Sequence, residues 1–266
     1  MERVQAFPPP LPNPLRPQGQ RGNFLSGSSG GESMITLYAW PTPNAHKVSI
    51  MLEECALDYE VVVIDITAGD QFKPDFLTLS PNNRMPAIVD HEGPEGGDIS
   101  VFESGAILIY LAEKCGKFLL ASGNTRYSVM QWLMFQMANL GPILGQAHHY
   151  RDAAPERVPY AINRFTDEAG RLYGVMDRRL AEADYLAGDD YSIADMACWP
   201  WVRVHRYHGQ PWEDFPNVRS WFDRIAKRDA VQAGMKLLTD KRAKTRDVLD
   251  AKSRDILFGK TQLERR

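Results

Sequence analysis

The sequence predicts an α/β unit with the element order βαβ-ββα, followed by an all-helical unit. Two observations carry this fold class. Alternating and β-branched apolar runs are confined to the stretch from Ile35 to Phe102, and after about residue 125 only helical periodicity remains. A chain of 266 residues is also long enough for two modest domains.

Ile35, Leu37 and Ala39 alternate with Thr36, Tyr38 and Trp40, the period of a first strand. From Asn44 onward Val48, Met51, Leu52 and Cys55 fall at i, i+3, i+4 and i+7, one face of a helix that runs out at Ala56-Leu57-Asp58. Tyr59 to Ile66 is a β-branched run, expected as a strand buried on both faces of a sheet. A polar loop through Gly69-Asp70-Gln71 and a short segment near Phe76 lead to a strand within Ser80–Asp90. The turn Glu92–Asp98 and the run Ile99–Phe102 complete a hairpin. A helix from Ser104 places Ile107, Tyr110 and Leu111 on one face and is closed by Gly116.

In the second unit Trp132, Phe135 and Gln136, with Met134 and Met137, mark one long helix, and Asn163 to Leu180 another. Tyr191-Ser192-Ile193-Ala194-Asp195 has the spacing of a capping box. The expected organisation is a Pro-, Gly- and Ser-rich disordered tail at 1–33, an α/β domain at 34–117, a helical domain at 125–240 and a charged extension at 241–266. Met34 would be a natural start, the tail then being an over-extended reading frame. No secretory signal can be read, because residues 1–33 contain no apolar run, and their prolines spoil an amphipathic transit helix.

Hydrophobic residues make up 44% and charged residues 24%, with a formal net charge of -3, so nothing in the balance points to nucleic acid or a membrane. Cys55, Cys115 and Cys198 are far apart, show neither zinc spacing nor C-x-x-C, and read as small buried hydrophobes rather than a disulfide framework. A reducing cytoplasm fits that usage. His148-His149 lacks a third ligand at suitable spacing, Trp199 and Trp201 read as core beside Pro200, and Lys241, Arg242, Lys244 and Arg246 as a solvated face.

Three junctions stand out. Met85-Pro86 opens a strand, where proline requires an edge or a special geometry. A cis bond there would turn the Met85 backbone outward to pair with an extended ligand, but only about one X-Pro bond in twenty is cis. Glu103-Ser104 lies at a strand-to-helix junction: Ser104 reads as an N-cap, or its hydroxyl, two helix amides and the Glu103 carboxylate together read as a receptor for an amino-acid head group. Thr42-Pro43-Asn44 ends the first strand and opens the first helix, with no serine or cysteine in the turn.

These tracts in order, with Asn82-Asn83-Arg84-Met85-Pro86-Ala87-Ile88-Val89-Asp90, Phe102-Glu103-Ser104-Gly105-Ala106-Ile107 and Tyr191–Asp195, resemble the glutathione transferase family over roughly residues 34 to 235. With Gly141-Pro142-Ile143-Leu144-Gly145-Gln146-Ala147-His148-His149-Tyr150 and Ser192–Trp201 they are similar to the bacterial Nu-class branch, related to disulfide-bond oxidoreductases. The resemblance implies a thioredoxin-like N-terminal domain and a helical-bundle C-terminal domain. It implies that Met85, beside a cis Pro86, offers its backbone to the cysteine unit of glutathione, and that Glu103 and Ser104 hold the γ-glutamyl head. It further implies that Thr42 and Asn44 point at the sulfur, and that Gln71, Arg84 and Arg164 contact the ligand, Arg84 through the glycine carboxylate. A homodimer is implied as well.

A free thiol has a pKa of about 8.5, so glutathione needs help to become a thiolate at neutral pH. The positive end of the first helix, the Thr42 hydroxyl and the Asn44 amide supply it without a base. The favoured function is then glutathione-dependent reduction of disulfides, with two glutathiones or one glutathione disulfide bound, organic peroxides as further substrates, and no protein cysteine and no metal. The alternatives are a transferase acting on electrophiles by conjugation, dehalogenation or ether cleavage, and a non-enzymatic binding or regulatory module on the same fold.

Overall fold

The computed structural model describes residues 34–241 and 250–264. The expectations for the tail at 1–33 and for Arg242, Lys244 and Arg246 lie outside the described residues.

Four strands form one mixed sheet: β1 Ile35–Ala39, β2 Tyr59–Val63, β3 Ala87–Asp90 and β4 Ile99–Phe102. Their order across the sheet is β2-β1-β3-β4. β1 runs parallel to β2, with Leu37 opposite Val61, and antiparallel to β3, with Leu37 opposite Ile88. β3 and β4 form the expected hairpin, Ile88 opposite Val101. Flanked on both sides, β1 is buried along its whole length. β2 is not the doubly covered strand its apolar run predicts: it lies at the sheet edge, and Val63 is 37% exposed. A β-branched run reports a sheet environment but not whether the strand is central or at the edge.

Helices α1 (Pro43–Glu54) and α3 (Ser104–Cys115) pack on one face of the sheet, and Gly116 closes α3 in the left-handed conformation. The short α2 (Pro74–Leu79) packs Phe76 on the other face against Tyr38, Ile64, Ala87 and Val89. This is the thioredoxin-like arrangement. The helical unit begins with α4 (Asn124–Phe135), a π-helical turn at Gln136–Leu140, α5 (Gly141–His148) and a second π turn at His149–Ala153. It continues with α6 (Pro159–Leu180), α7 (Ile193–Val202), α8 (Pro216–Ala226) and α9 (Asp229–Gly234). α6 begins before Asn163, because Pro159 is well placed in a first helical turn. The Ser192–Asp195 capping box is formed, and the buried Asp195 carboxylate also accepts from the Trp221 indole at 2.9 Å.

α1 joins the two units. One continuous apolar core runs from β1 and β3 through α1 and α3 to α7 and α9. Gly234 lets the α9 backbone reach α1, since a side chain there would lie 2.6 Å from the Ile50 nitrogen. At that contact Ser49 Oγ donates to the Gly234 carbonyl at 2.7 Å, and Arg228 grips Glu54 through two bonds of 2.6 and 2.8 Å.

The expectation for two of the cysteines needs correction. Cys55 and Cys115 are not separate hydrophobes: they form a disulfide with Cα atoms 6.1 Å apart, because α1 and α3 lie side by side and bring their last residues together. The C-terminal extension contains a docked helix, α10 (Ala251–Phe258). Its Ile256 is buried beside Gly69, Arg254 donates to the Ala153 carbonyl at 3.1 Å, and Phe258 packs on His149. Among the described residues no helix is long and apolar enough to cross a membrane.

Candidate active site

The N-terminus of α1 ends against the start of β3. Thr42 is the extended N-cap of α1, and its Oγ1 accepts from the Ala45 amide at 3.4 Å. The same hydroxyl donates to Met85 Sδ at 3.6 Å, so two residues 43 apart in sequence meet at one point. The Met85-Pro86 bond is cis. Ser80 Oγ donates to the Arg84 carbonyl at 2.7 Å and ties down the approach to that bond, while the Arg84 side chain is exposed.

Asn44, in the first turn of α1, is oriented from the helical unit. The Trp201 indole N–H donates to Asn44 Oδ1 at 2.8 Å. Because the carbonyl oxygen is occupied, the amide nitrogen is the end that faces away from Trp201, and it carries two donors. Trp201 is thus not simply core, as its place beside Pro200 implies.

The Glu103-Ser104 junction resolves differently from a simple cap. Glu103 is the N-cap of α3, with φ of 69°, an unusual conformation for a residue with a side chain. Its exposed carboxylate accepts from Asn82 Nδ2 at 3.2 Å. Ser104 is the first residue of the helix, and its Oγ caps nothing: it accepts from Lys47 Nζ at 3.2 Å and lies 3.7 Å from Met137 Sδ.

Lys47 is 1% exposed and also donates to Gln136 Oε1 at 2.6 Å, at the start of the first π turn. Burial pulls its ammonium down to about 7, against the opposing influence of Cys198 and Glu103. Neither Lys47 nor Gln136 was legible as a site residue. A lysine in a helix buried all round from Ala45 to Leu52 is itself a signal, but only once α1 is known to be enclosed on every side.

No described hydrogen bond or ion pair ties Gln71 or Arg164 to this cluster. Gln71 is buried on the turn after β2, its Nε2 donating to the Ile66 carbonyl at 3.2 Å and its Oε1 without a partner. Arg164 is on α6, largely exposed, and its hydrogen bond at 3.5 Å is to Glu168 on the same helix. No described contact brings Arg164 to Thr42 or Ser104. The described residues contain no group of three or more His, Cys, Asp or Glu arranged to hold a metal. His148 stacks on Tyr207 at 4.6 Å.

No thiol lies at the helix start. Cys55 is the C-cap at the far end of α1, about 20 Å from Thr42 by helix rise, and is bonded to Cys115. Cys198 is fully buried on α7, and burial pushes its thiol well up. A low-pKa, exposed cysteine is what protein thiol chemistry requires.

Comparison with known proteins places these features in a family. The model of the glutathione S-transferase N-terminal domain matches residues 33–113, and that of the C-terminal domain matches residues 162–229. Disulfide-bond oxidoreductase YfcG of Escherichia coli is 50% identical over 198 residues, 74% of this chain and 92% of the relative. Disulfide-bond oxidoreductase YghU of the same organism is 41% identical over 77% of this chain and 75% of its own length. A glutathione transferase family member from Pseudomonas fluorescens, solved with two glutathiones bound, superposes with a TM-score of 0.73 at 42% identity, covering 76% of this chain and 92% of that one. One from Pseudomonas putida, solved with one glutathione disulfide per subunit, has a TM-score of 0.75 at 41% identity, with coverage of 79% and 94%.

Proposed function

Since the chain belongs to the glutathione S-transferase family, we propose that it is a glutathione-dependent disulfide-bond reductase whose reacting sulfurs are all brought by its ligands. One observation carries this reading: the helix terminus that should activate a sulfur has Thr42 and Asn44 as donors, while Cys55 is bonded to Cys115 at the other end of α1 and Cys198 is buried on α7 with its thiol pushed well up. The relatives solved with two glutathiones, or with glutathione disulfide, support a site that accommodates both sulfurs.

In the proposed site the Met85 backbone pairs with the cysteine unit, Glu103 takes the γ-glutamyl ammonium, and Ser104 with the first amides of α3 takes the carboxylate. Gln71 offers its unpartnered Oε1 to a ligand amide. Arg84 and Arg164, both exposed, are assigned to carboxylates at the outer part of the ligand. The glutathione sulfur replaces Met85 Sδ as acceptor of the Thr42 hydroxyl, and Asn44 Nδ2 adds a second donor. The α1 terminus contributes its dipole and unpaired amides. Together these favour the thiolate.

The thiolate then attacks one sulfur of the substrate disulfide, forming a mixed disulfide with glutathione and releasing a substrate thiolate, which takes up a proton. A second glutathione thiolate attacks the glutathionyl sulfur, giving glutathione disulfide and the second substrate thiol. Two electrons pass from two glutathiones to one disulfide. Holding both partners in line supplies much of the rate. The reading extends to a homodimer whose cycle is sustained by a pool of reduced glutathione.

Intact-mass spectrometry during turnover with a small dialkyl disulfide tests this. The reading requires glutathione–substrate mixed disulfide in solution and no glutathione or substrate adduct on the protein. A kinetically competent protein adduct would overturn it, and so would much faster turnover of a halogenated aromatic at equal glutathione.

A further inference from the structure

Lys47 is a buried cation whose hydrogen-bond partners are a hydroxyl, an amide and a thioether: Ser104 Oγ at 3.2 Å, Gln136 Oε1 at 2.6 Å and Met137 Sδ at 3.5 Å. Enclosing an ammonium among neutral groups is costly unless an opposite charge completes the arrangement. Cys198 on α7 and Glu103 before α3 are the titratable groups facing it, while α9 approaches α1 through the Gly234 backbone. Cys198 is held protonated by burial, and the Glu103 carboxylate is engaged by Asn82. Neither neutralises Lys47 directly.

The bond to Ser104 has a directional consequence. A hydroxyl that accepts from an ammonium must donate elsewhere. Here its other neighbour is Met137 Sδ at 3.7 Å, a weak acceptor. An anion at the first turn of α3 would be a far stronger one, and it would lie one hydroxyl away from the buried charge.

We infer that Lys47 is the buried counter-cation of the γ-glutamyl α-carboxylate, acting through Ser104, and that it selects ligands carrying that carboxylate. This rests on the glutathione-binding reading above. Lys47 touches no ligand atom in this scheme and is a positioning residue: it fixes the Ser104 hydroxyl as a donor and supplies the positive potential behind it. Gln136, at the start of the π turn, holds the ammonium from the other side. The arrival of the carboxylate favours the charged form of Lys47, so binding takes up part of a proton near neutral pH.

The test uses the full-length protein and titration calorimetry with two ligands. One is S-methylglutathione, which has no ionisable thiol. The other is its analogue with 4-aminobutyrate in place of the γ-glutamyl unit, which keeps the amine and lacks the α-carboxylate. Lys47→Met is expected to weaken S-methylglutathione about tenfold or more and to change the analogue less than about twofold. Repeating the wild-type titration at pH 7.5 in buffers of different ionisation heat should reveal fractional proton uptake that disappears in the variant. Lys47→Met/Gln136→Leu, which removes both buried polar partners, guards against a folding defect and should give the same pattern. Equal weakening of both ligands in folded variants, or unchanged proton uptake, overturns the inference and leaves Lys47 a structural tie. Absence of S-methylglutathione binding to the wild type overturns the glutathione reading itself.

Discussion

Replacing Trp201 by Phe isolates one atom of the proposed machinery. The change removes the indole N–H that reaches Asn44 Oδ1 at 2.8 Å and keeps an aromatic ring in place. The bond itself is worth about 1 kcal/mol. Its larger effect is orientational, because an Asn44 amide free to turn presents its carbonyl as readily as its nitrogen to the sulfur. Losing one donor to a thiolate should then cost about 1.4 kcal/mol, which is about one pKa unit on the bound thiol and about tenfold in thiolate fraction at neutral pH. The assay is kcat/KM for a small disulfide measured from pH 5.5 to 9, with the thiolate absorbance of bound glutathione followed in parallel. The expected profile is displaced upward by about one unit and rejoins the wild type at high pH. Loss of packing around the smaller ring should lower stability by about 1–2 kcal/mol, which urea unfolding measures separately. An unshifted pH profile in a folded variant would refute the orienting role of Trp201.

Other consequences reach beyond the turn. Burial alone would push Asp90 up, but hydrogen bonds from Lys114, Tyr110 and the Glu92 amide outweigh it and hold its carboxyl below the ordinary range. That contribution is present above the unfolded carboxylate pKa and is lost as pH falls through the depressed folded value. Asp90→Asn should therefore cost about 2–3 kcal/mol in urea unfolding at pH 7 and progressively less below about pH 4. Glu103→Gln keeps the shape of the α3 entrance and removes the charge proposed for the ligand ammonium, so calorimetry should show about tenfold weaker S-methylglutathione binding. Ile256→Ala, which empties the contact of α10 beside Gly69, should release the helix; faster hydrogen exchange at 251–258 and at the Gly69–Phe72 turn would register it.

The residues that punctuate the chain were the legible ones. Thr42, Met85-Pro86 and Glu103-Ser104 all sit where a strand meets a turn or helix, and local chemistry marks such places: a cap, a proline that cannot donate, a helix entrance. The βαβ-ββα order of the first unit followed from periodicity together with the Glu92–Asp98 turn, whereas α5, α8 and α9 were not read. What stayed hidden depends on contacts between distant segments. Trp201 acts on Asn44 across 157 positions, and Lys47 on Gln136 across 89. The Cys55–Cys115 bond depends on two helices lying side by side, and the edge position of β2 on the strand order. The π turn at Gln136 has no periodic signature that separates it from the α-helices on either side.

The central claim is that ligand sulfurs alone carry the electrons. The variant Cys55→Ala/Cys115→Ala/Cys198→Ala, checked for fold by circular dichroism and for S-methylglutathione binding, should retain disulfide reductase kcat/KM within about threefold of the wild type. A loss of about a hundredfold or more with fold and binding intact would place an essential sulfur in the protein and contradict the account.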